Sequence, residues 1–248
     1  MAKDRLSELD GLRAIDILMV IAFHYSARFP EYYPYPASTF PLATHGSLGV
    51  QLFFIISGFV IAMTLTSSKY AIDFGVRRIS RLWPPMMICS LLTFAIVHMI
   101  DNPFTEFRRT SWLGFVPSWT FTTPSLWTWL SRDIDYVDGA YWSLFVEVRF
   151  YLWAALLYFL LGARRFPALF ALFAGVTWAI RQLLGLIAMP SIAKLWDLLF
   201  FSDHIALFCA GVLFYELFCG RRDMWKLAAL AACMAVAALS ADDGAGAA

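Results

Sequence analysis

The feature that most constrains this chain is a series of long apolar segments separated by short polar stretches. Each segment has about 20 residues, the length that an α-helix needs to cross the hydrocarbon core of a bilayer. The six segments are Leu12–Phe29, Gly46–Thr66, Trp83–Ile100, Tyr141–Leu161, Phe166–Ile187 and Leu195–Phe218. A seventh, from Lys226 to Leu239, is short for a crossing. The sequence therefore predicts an all-α, polytopic transmembrane helix bundle of about six or seven spans.

The composition excludes an ordinary soluble domain. Of the 248 residues, 60% are hydrophobic and 15% are charged, and the mean hydropathy is +0.66. A soluble domain is nearer half apolar and a quarter charged. A net charge of +1 offers no basic surface for nucleic acid, and the four cysteines lack the CxxC spacing of zinc sites. We therefore expect an integral membrane protein with no nucleic-acid partner and no metal site.

Basic residues indicate how these spans are oriented. Clusters follow the second, fourth and sixth segments, at Lys69 to Arg81, Arg164-Arg165 and Arg221 to Lys226. Loops rich in lysine and arginine stay in the cytoplasm, so the N-terminus is predicted to be cytoplasmic. This orientation requires that residues 101–141 do not cross an odd number of times. Because Pro117 and Pro124 interrupt that segment, we expect it to be interfacial or re-entrant.

The first span, within LDGLRAIDILMVIAFHY, carries two ionisable side chains on one face. Arg13 and His24 are eleven residues apart. A helix places them about 20° apart around its axis and about 16 Å apart along it. Ionisable groups inside a span ordinarily face a bundle interior or a wet cavity, which makes both functional candidates. The alternative is an arginine that snorkels and a histidine bonded to a neighbouring helix. Because Asp10 and Asp16 interrupt the apolar run, we expect a retained span rather than a signal peptide.

A carboxylate is predicted at a similar depth to His24. Glu147 lies six residues into the fourth span, roughly 9 Å below its outer end. A carboxylate that bonds one imidazole nitrogen fixes the tautomer and raises the basicity of the other nitrogen. Such a pair would be a general base, or would make His24 a nucleophile, toward a hydroxyl acceptor. The alternative is a buried structural pair.

Three arginines form the strongest basic cluster, in a segment interpreted as a loop between Ser67 and Pro85. The spacing of Arg77, Arg78 and Arg81 also lets them share one helical surface. Guanidinium groups bind phosphate oxygens with two parallel hydrogen bonds, which makes the cluster a candidate phosphate site. The alternatives are charge that only sets topology, or contact with anionic lipid.

Small residues in the second segment predict close helix packing. Gly49 and the pair Ser57-Gly58 are positions where another backbone can approach closely. A catalytic use of these positions is the other interpretation that the residues leave open.

Four motifs, taken in order, resemble the acyltransferase-3 family of membrane acyltransferases. They are LDGLRAIDILMVIAFHY with its Arg-x10-His, GVQLFFIISGFVIA, FGVRRISRLWPP and YWSLFVEVRFYLW. The resemblance is clear over residues 6–160 and weaker over 161–220, where HIALFCAGVLFYE resembles a later span. The resemblance implies an enzyme that transfers an acyl group, often acetyl, from cytoplasmic acyl-CoA to a hydroxyl of an extracytoplasmic glycan or other acceptor.

The resemblance also implies roles for individual residues. Arg13 and His24 match the Arg-x10-His pair, Arg77, Arg78 and Arg81 match the arginine motif, and Glu147 matches the acid of Trp-Ser-Leu-x-x-Glu. By this match His24, oriented by Glu147, deprotonates the acceptor or carries the acyl group, and Arg13 holds CoA or stabilises the thioester oxyanion. The arginine motif would bind the CoA phosphates. One departure is Val148-Arg149, which places a positive charge beside the acid where the family has Glu-Gln.

The expected organisation is a single acyltransferase-3-like transmembrane domain over residues 1–248, lacking the last spans of the family fold. We expect a multi-pass protein of the bacterial inner membrane. Its expected partners are acyl-CoA, membrane lipid, and a glycan or lipid-linked carbohydrate acceptor. Two alternatives stay open. A transporter or flippase of a polar or lipid-linked molecule would also bury arginine, histidine and glutamate in helices. An inactive membrane scaffold would fit the missing spans.

Overall fold

The computed structural model describes residues 6–28, 41–127 and 134–245, and every regular element in these ranges is helical. The α-helices are α1 (Ser7–Ser26), α2 (Leu48–Ser67), α3 (Ala71–Met99), α4 (Pro103–Arg108), α5 (Phe115–Thr120), α6 (Trp142–Leu161), α7 (Phe166–Leu186), α8 (Pro190–Phe200), α9 (Ile205–Phe218) and α10 (Met224–Ala245). Short 3-10 turns connect several of them. The all-α prediction is therefore confirmed.

Five helical stretches of the described residues are long and apolar enough to cross a membrane. They are Ala43–Ser67, Ala71–Met99, Gly139–Leu161, Phe166–Leu186 and Pro190–Phe218, and a shorter apolar helix covers Met224–Leu239. The stretches correspond to the second to sixth predicted segments. The first segment is also helical, as α1, but its N-terminal half carries Glu8, Asp10, Arg13 and Asp16. The chain is an integral membrane protein by this pattern.

The structure corrects two of the predicted boundaries. The basic segment after Ser67 is not a loop, because α3 begins at Ala71 and runs through Pro84 and Pro85 to Met99. This first part of α3 buries Phe74 and Arg78, four residues apart and hence on one helical face, while its other face is exposed. The predicted sixth span is broken between α8 and α9, where Phe201 has a left-handed backbone with φ 42°.

The chain divides into two compact units. The first unit comprises Met1–Thr64 and Leu161–Ala248, and the second comprises Leu65–Leu160. In the first unit, α9 is the central helix: it packs against α7 and α10, and most of its side chains are buried. An apolar helix with few exposed positions has neighbours on every side, so α9 forms the core of this unit.

A close helix contact in the first unit joins α2 and α9 at two glycines. A Cβ atom added at Gly58 would lie 2.2 Å from the carbonyl oxygen of Phe208. One added at Gly211 would lie 2.0 Å from the carbonyl oxygen of Ile55 and 2.8 Å from the Cα of Gly58. The predicted close approach at Gly58 is thus confirmed, and Gly211 is its partner. Van der Waals packing between small residues is a main source of helix association in membranes.

A buried ion cluster joins the C-terminal end of α9 to the start of α10. Glu216 is buried and accepts hydrogen bonds from Arg221 Nη1 at 2.7 Å and Lys226 Nζ at 3.0 Å. Lys226 is buried as well and also contacts Asp223 at 2.9 Å. Because its charges are paired, this cluster fixes the turn between the two helices.

The second unit is built on α3 and α6 with the short helices between them. Its core cluster is formed by Met86, Val137, Tyr141 and Phe145. Trp119 of α5 accepts a hydrogen bond from Trp83 Nε1 through its carbonyl and donates its own Nε1 to Ser90, which fixes α5 against α3. Within the described residues of 101–141, no helix is longer than six residues. This agrees with the prediction that the segment makes no clean crossing.

The predicted topology is testable with cysteine reporters. In a variant without the four native cysteines, we expect cysteines at Ser68 and Gly220 to react with an impermeant thiol reagent only from the cytoplasmic side. Cysteines at Ala37, which lies outside the described residues, and at Ser191 should react only from outside, because the basic clusters stay in the cytoplasm. Labelling of Ser191 from the inside would mean that residues 101–141 cross an odd number of times.

Candidate active site

His24 lies near the C-terminal end of α1 with one ring nitrogen already engaged. Its Nδ1 is 2.8 Å from the carbonyl oxygen of Val20, one turn earlier on the same helix. A carbonyl can only accept, so Nδ1 carries the proton of the neutral ring and Nε2 keeps its lone pair. The adjacent Phe23 ring lies edge-on with its centre 5.6 Å away. The side chain therefore presents Nε2 as the basic nitrogen.

Close contact with the segment before α2 and with the first turn of α2 fixes the position of α1. A Cβ atom added at Gly46 would lie 2.3 Å from the carbonyl oxygen of Met19 and 2.7 Å from the Cβ of Phe23. A Cβ at Gly49 would lie 2.6 Å from the carbonyl oxygen of Asp16. The predicted close approach at Gly49 is confirmed. These contacts hold the backbone on both sides of Val20 and so the orientation of the His24 ring.

Asp16 interrupts the apolar run of the first segment in the sequence, and in the structure it is buried. Its side chain is 2% exposed, and neither carboxylate oxygen accepts a hydrogen bond within the described part of the chain. Arg13 lies one turn before it on α1. An isolated charge in an apolar setting is costly, so the buried Asp16 is a functional candidate on this helix, beside Arg13 and His24.

In the second unit, Glu147 is 5% exposed and accepts a hydrogen bond of 2.5 Å from the hydroxyl of Tyr151. Tyr151 lies one turn later on α6. The i to i+4 spacing of Glu147 and Tyr151 is visible in the sequence, and it is the signal that could have revealed this pair. The hydroxyl orients one oxygen of the buried carboxylate.

Arg78 joins the arginine motif to this pair. Its side chain is 7% exposed, and its guanidinium carbon lies 5.6 Å from the centre of the Tyr151 ring and 5.9 Å from that of Phe74. A guanidinium over an aromatic face is attracted by the ring quadrupole. This attraction is stronger when the guanidinium is desolvated. The structure thus brings Arg78, Tyr151 and Glu147 together.

The other two arginines of the motif have a different environment. Arg77 and Arg81 are both exposed and lie one turn apart on the outer face of α3. The three arginines therefore divide into one buried side chain, which lies beside Tyr151 of α6, and two exposed ones. Arg149, beside the acid, turns back to donate its Nε to the carbonyl of Phe145 at 3.2 Å.

The remaining predicted pairing joins residues of separate units. His24 and Arg13 belong to the first unit, and Glu147 belongs to the second. The orientation of His24 by Glu147 therefore stays a prediction. Within the first unit, the hydrogen-bond partner of His24 Nδ1 is the carbonyl oxygen of Val20. No group of three histidine, cysteine or acidic side chains suited to a metal occurs among the residues that the structure describes.

Comparison with known proteins supplies the family. The family model described as "Acyltransferase domain" matches residues 6–241, almost the whole chain. The chain belongs to the acyltransferase-3 family. This confirms the resemblance that the four motifs carry. The match also continues through α7 to α10, where the sequence motifs are weaker.

Individual relatives of this acyltransferase-3 chain match part of it. The O-acetyltransferase OatA of Staphylococcus aureus is 29% identical over 162 residues, 59% of this chain and 24% of the relative. The acyltransferase MdmB of Streptomyces mycarofaciens is 29% identical over 151 residues, 60% of this chain and 38% of the relative. An O-acetyl transferase of Shigella phage Sf6 is 32% identical over 96 residues, 39% and 28% of the two chains. The matched part thus spans well under half of each relative, and no solved structure matches the chain.

Proposed function

We propose that this chain is a membrane O-acyltransferase that moves an acyl group, acetyl in the first instance, from cytoplasmic acyl-CoA to a hydroxyl of an extracytoplasmic carbohydrate or other envelope acceptor. The observation that carries the proposal is the family match over residues 6–241. Two relatives named for O-acetyl transfer support the choice of acetyl and of a hydroxyl acceptor. The proposal treats residues 1–248 as one acyltransferase domain in the bacterial inner membrane.

In this proposal, His24 is the general base. The tautomer fixed by Val20 leaves Nε2 to take the proton from the acceptor hydroxyl. The oxygen then forms a bond to the thioester carbonyl carbon, and the bond from that carbon to sulfur breaks. The imidazolium returns its proton to the departing CoA thiolate, so that protons and charge balance. Transient acylation of Nε2 is the alternative order of the same steps.

Arg13 is proposed to stabilise negative charge on the thioester oxygen as the tetrahedral intermediate forms. Such a donor contributes only where charge develops, so its loss should lower the rate of transfer more than the affinity for substrate. Asp16, one turn away and buried, is proposed to limit the orientations of the Arg13 guanidinium.

The arginine motif is proposed to bind the phosphates of CoA through Arg77 and Arg81, which are exposed on α3. Guanidinium groups one turn apart on a helix can contact neighbouring phosphate oxygens. Arg78 has another role in this proposal. Buried against Tyr151, it holds the hydroxyl that orients Glu147.

This division of the arginines makes a specific prediction. We expect Arg81→Ala to weaken acetyl-CoA binding by about ten- to hundredfold, because a charge-assisted contact is worth about 1.5–3 kcal/mol. Calorimetric titration of the purified variant with acetyl-CoA gives the affinity. Arg164→Ala, which removes an exposed arginine outside the motif, is the matched control and should bind as the unchanged protein does. Unchanged affinity in both Arg77→Ala and Arg81→Ala would return these residues to a topogenic or lipid-binding role.

A further inference from the structure

A cavity of about 200 Å³ lies between the C-terminal end of α7 and the first half of α8. Two cationic side chains, Arg181 and Lys194, line it, and the rest of its lining is apolar, including Leu184, Gly185 and Met189. No acidic side chain lines it among the residues that the structure describes. A small cavity with two cations and apolar walls is suited to an anionic group attached to a hydrocarbon.

The guanidinium of Arg181 is positioned by acids on its Nε side. Nε donates to Asp197 at 2.6 Å, and Asp203 lies 3.9 Å from the same nitrogen. Ser202 donates its hydroxyl to the other oxygen of Asp197, which holds that carboxylate in place. These contacts come from α8 and from the break after it, so they fix the guanidinium from one side.

The opposite edge of Arg181 faces the cavity. A Cβ added at Gly185 would have Arg181 Nη1 as its nearest neighbour, at 3.7 Å, and Gly185 itself lines the cavity. A guanidinium already ordered through Nε can use its two terminal nitrogens to bind a phosphate. Lys194 lines the cavity and makes no ion pair with an acid in the described part of the chain. Its charge is therefore available to an anion bound in the cavity.

The surroundings of the cavity are apolar and exposed. Leu186 is 84% exposed, and Ile187, Met189 and Ile192 are about half exposed. Arg181 lies inside a candidate span, fifteen residues after Phe166, or about 22 Å along the helix. An ionisable residue inside a candidate span, beside an exposed apolar surface, is a candidate functional residue. A free anion would make no favourable contact with this apolar surface, whereas the hydrocarbon chains of a lipid would pack against it.

We propose that this cavity binds the phosphate of an anionic phospholipid between Arg181 and Lys194, with the lipid chains along the exposed apolar surface of α7 and α8. With the predicted topology, the end of α7 at Leu186 places the site in the outer leaflet. The site is separate from the acyl-transfer residues, and it stands whether or not the transferase proposal holds.

Two variants test the cavity without disturbing the contacts of Arg181 with Asp197. Gly185→Leu fills the cavity, and its Cβ has only Arg181 Nη1 within 4 Å, at an ordinary van der Waals distance of 3.7 Å. Gly175→Leu is the matched control on the same helix, since a Cβ there meets nothing within 4 Å. Lys194→Gln removes one charge, and Lys194→Arg restores it.

The measurement is native mass spectrometry of the purified full chain in detergent, titrated with phosphatidylglycerol, phosphatidylcholine or inorganic phosphate. We expect phosphatidylglycerol to bind at least tenfold more tightly than the other two. Gly185→Leu and Lys194→Gln should each lose at least tenfold, whereas Gly175→Leu and Lys194→Arg should not. Equal binding of the two lipids, or unchanged binding in both loss variants, overturns the proposal. Inorganic phosphate that displaces the lipid with equal affinity would show a soluble-anion site and overturn the lipid assignment.

Discussion

Replacing His24 with alanine is expected to abolish acyl transfer while the protein still folds and binds acetyl-CoA. A positioned general base contributes about 10²- to 10⁴-fold to a rate, and no other described side chain on α1 presents a neutral imidazole nitrogen. The loss should appear in kcat rather than in acetyl-CoA affinity, because the proton is transferred only during reaction. Transfer of labelled acetyl from CoA, measured in proteoliposomes, gives this rate.

His98→Ala is the matched control for this prediction. His98 also carries its Nδ1 2.8 Å from a carbonyl one turn earlier, that of Phe94, but it lies exposed near the end of α3. The control therefore removes the same ring in the same local geometry and should keep its activity. Substantial transfer by His24→Ala would contradict the catalytic assignment.

The predicted cooperation of His24 with Glu147 is tested by a double variant. Glu147→Gln keeps the shape of the side chain and loses its charge, so transfer should be severely impaired. If the two residues act as one unit, the double variant is hardly slower than His24→Ala alone. Losses that multiply would leave each residue useful and would contradict the predicted pair. Tyr151→Phe should weaken transfer in the same direction as Glu147→Gln, because it removes the hydroxyl that orients the acid.

Gly211→Val is expected to destabilise the first unit strongly. Its Cβ would lie 2.0 Å from the carbonyl oxygen of Ile55 and 2.8 Å from the Cα of Gly58, both of them backbone atoms. Neither can move without separating α2 from α9, whose faces meet in the contact between the rings of Phe54 and Phe208, 4.8 Å apart. Overpacking a well-packed contact costs about 1–3 kcal/mol, and a backbone clash costs at least the upper value. We expect an apparent Tm lower by roughly 10 °C, or no recoverable protein.

Gly175→Val is the control for this fold prediction. Both glycines lie inside apolar helices of the same unit, but a Cβ at Gly175 meets nothing within 4 Å. The control therefore introduces the same β-branched side chain without the clash, and its Tm should stay within a few degrees. A Gly211→Val protein as stable as Gly175→Val would contradict the close crossing of α2 and α9.

The length of the apolar runs predicts α6 and α7 closely. The predicted spans Tyr141–Leu161 and Phe166–Ile187 differ from α6 and α7 by one residue at one end each. Between them the chain must turn, and Gly162 takes a positive φ of 97° there, next to Arg164-Arg165. A glycine and a pair of charged residues are therefore sufficient to predict this turn, because its conformation depends on residues that are neighbours in the sequence.

The features that the sequence does not predict depend on distant contacts. The basic composition of the first part of α3 favours a loop, yet Phe74 and Arg78 form a buried stripe because Tyr151 of α6 lies against them. Gly58 is predictable as a position of close approach, but its partner Gly211 is more than 150 residues away along the chain. The burial of Asp16 likewise follows from the packing of α1 on the first turn of α2. None of these contacts has a local signature.

The most direct test of the central claim is mass spectrometry of envelope glycans from cells with and without the protein, supplied with isotope-labelled acetate as the source of acetyl-CoA. We expect a labelled acetyl ester on a hydroxyl of an envelope glycan in cells with the unchanged protein and in cells with the His98→Ala variant. It should be missing with His24→Ala. Complete loss of a glycan from the outer face, with no change in acylation of what remains, would contradict acyl transfer and indicate transport instead.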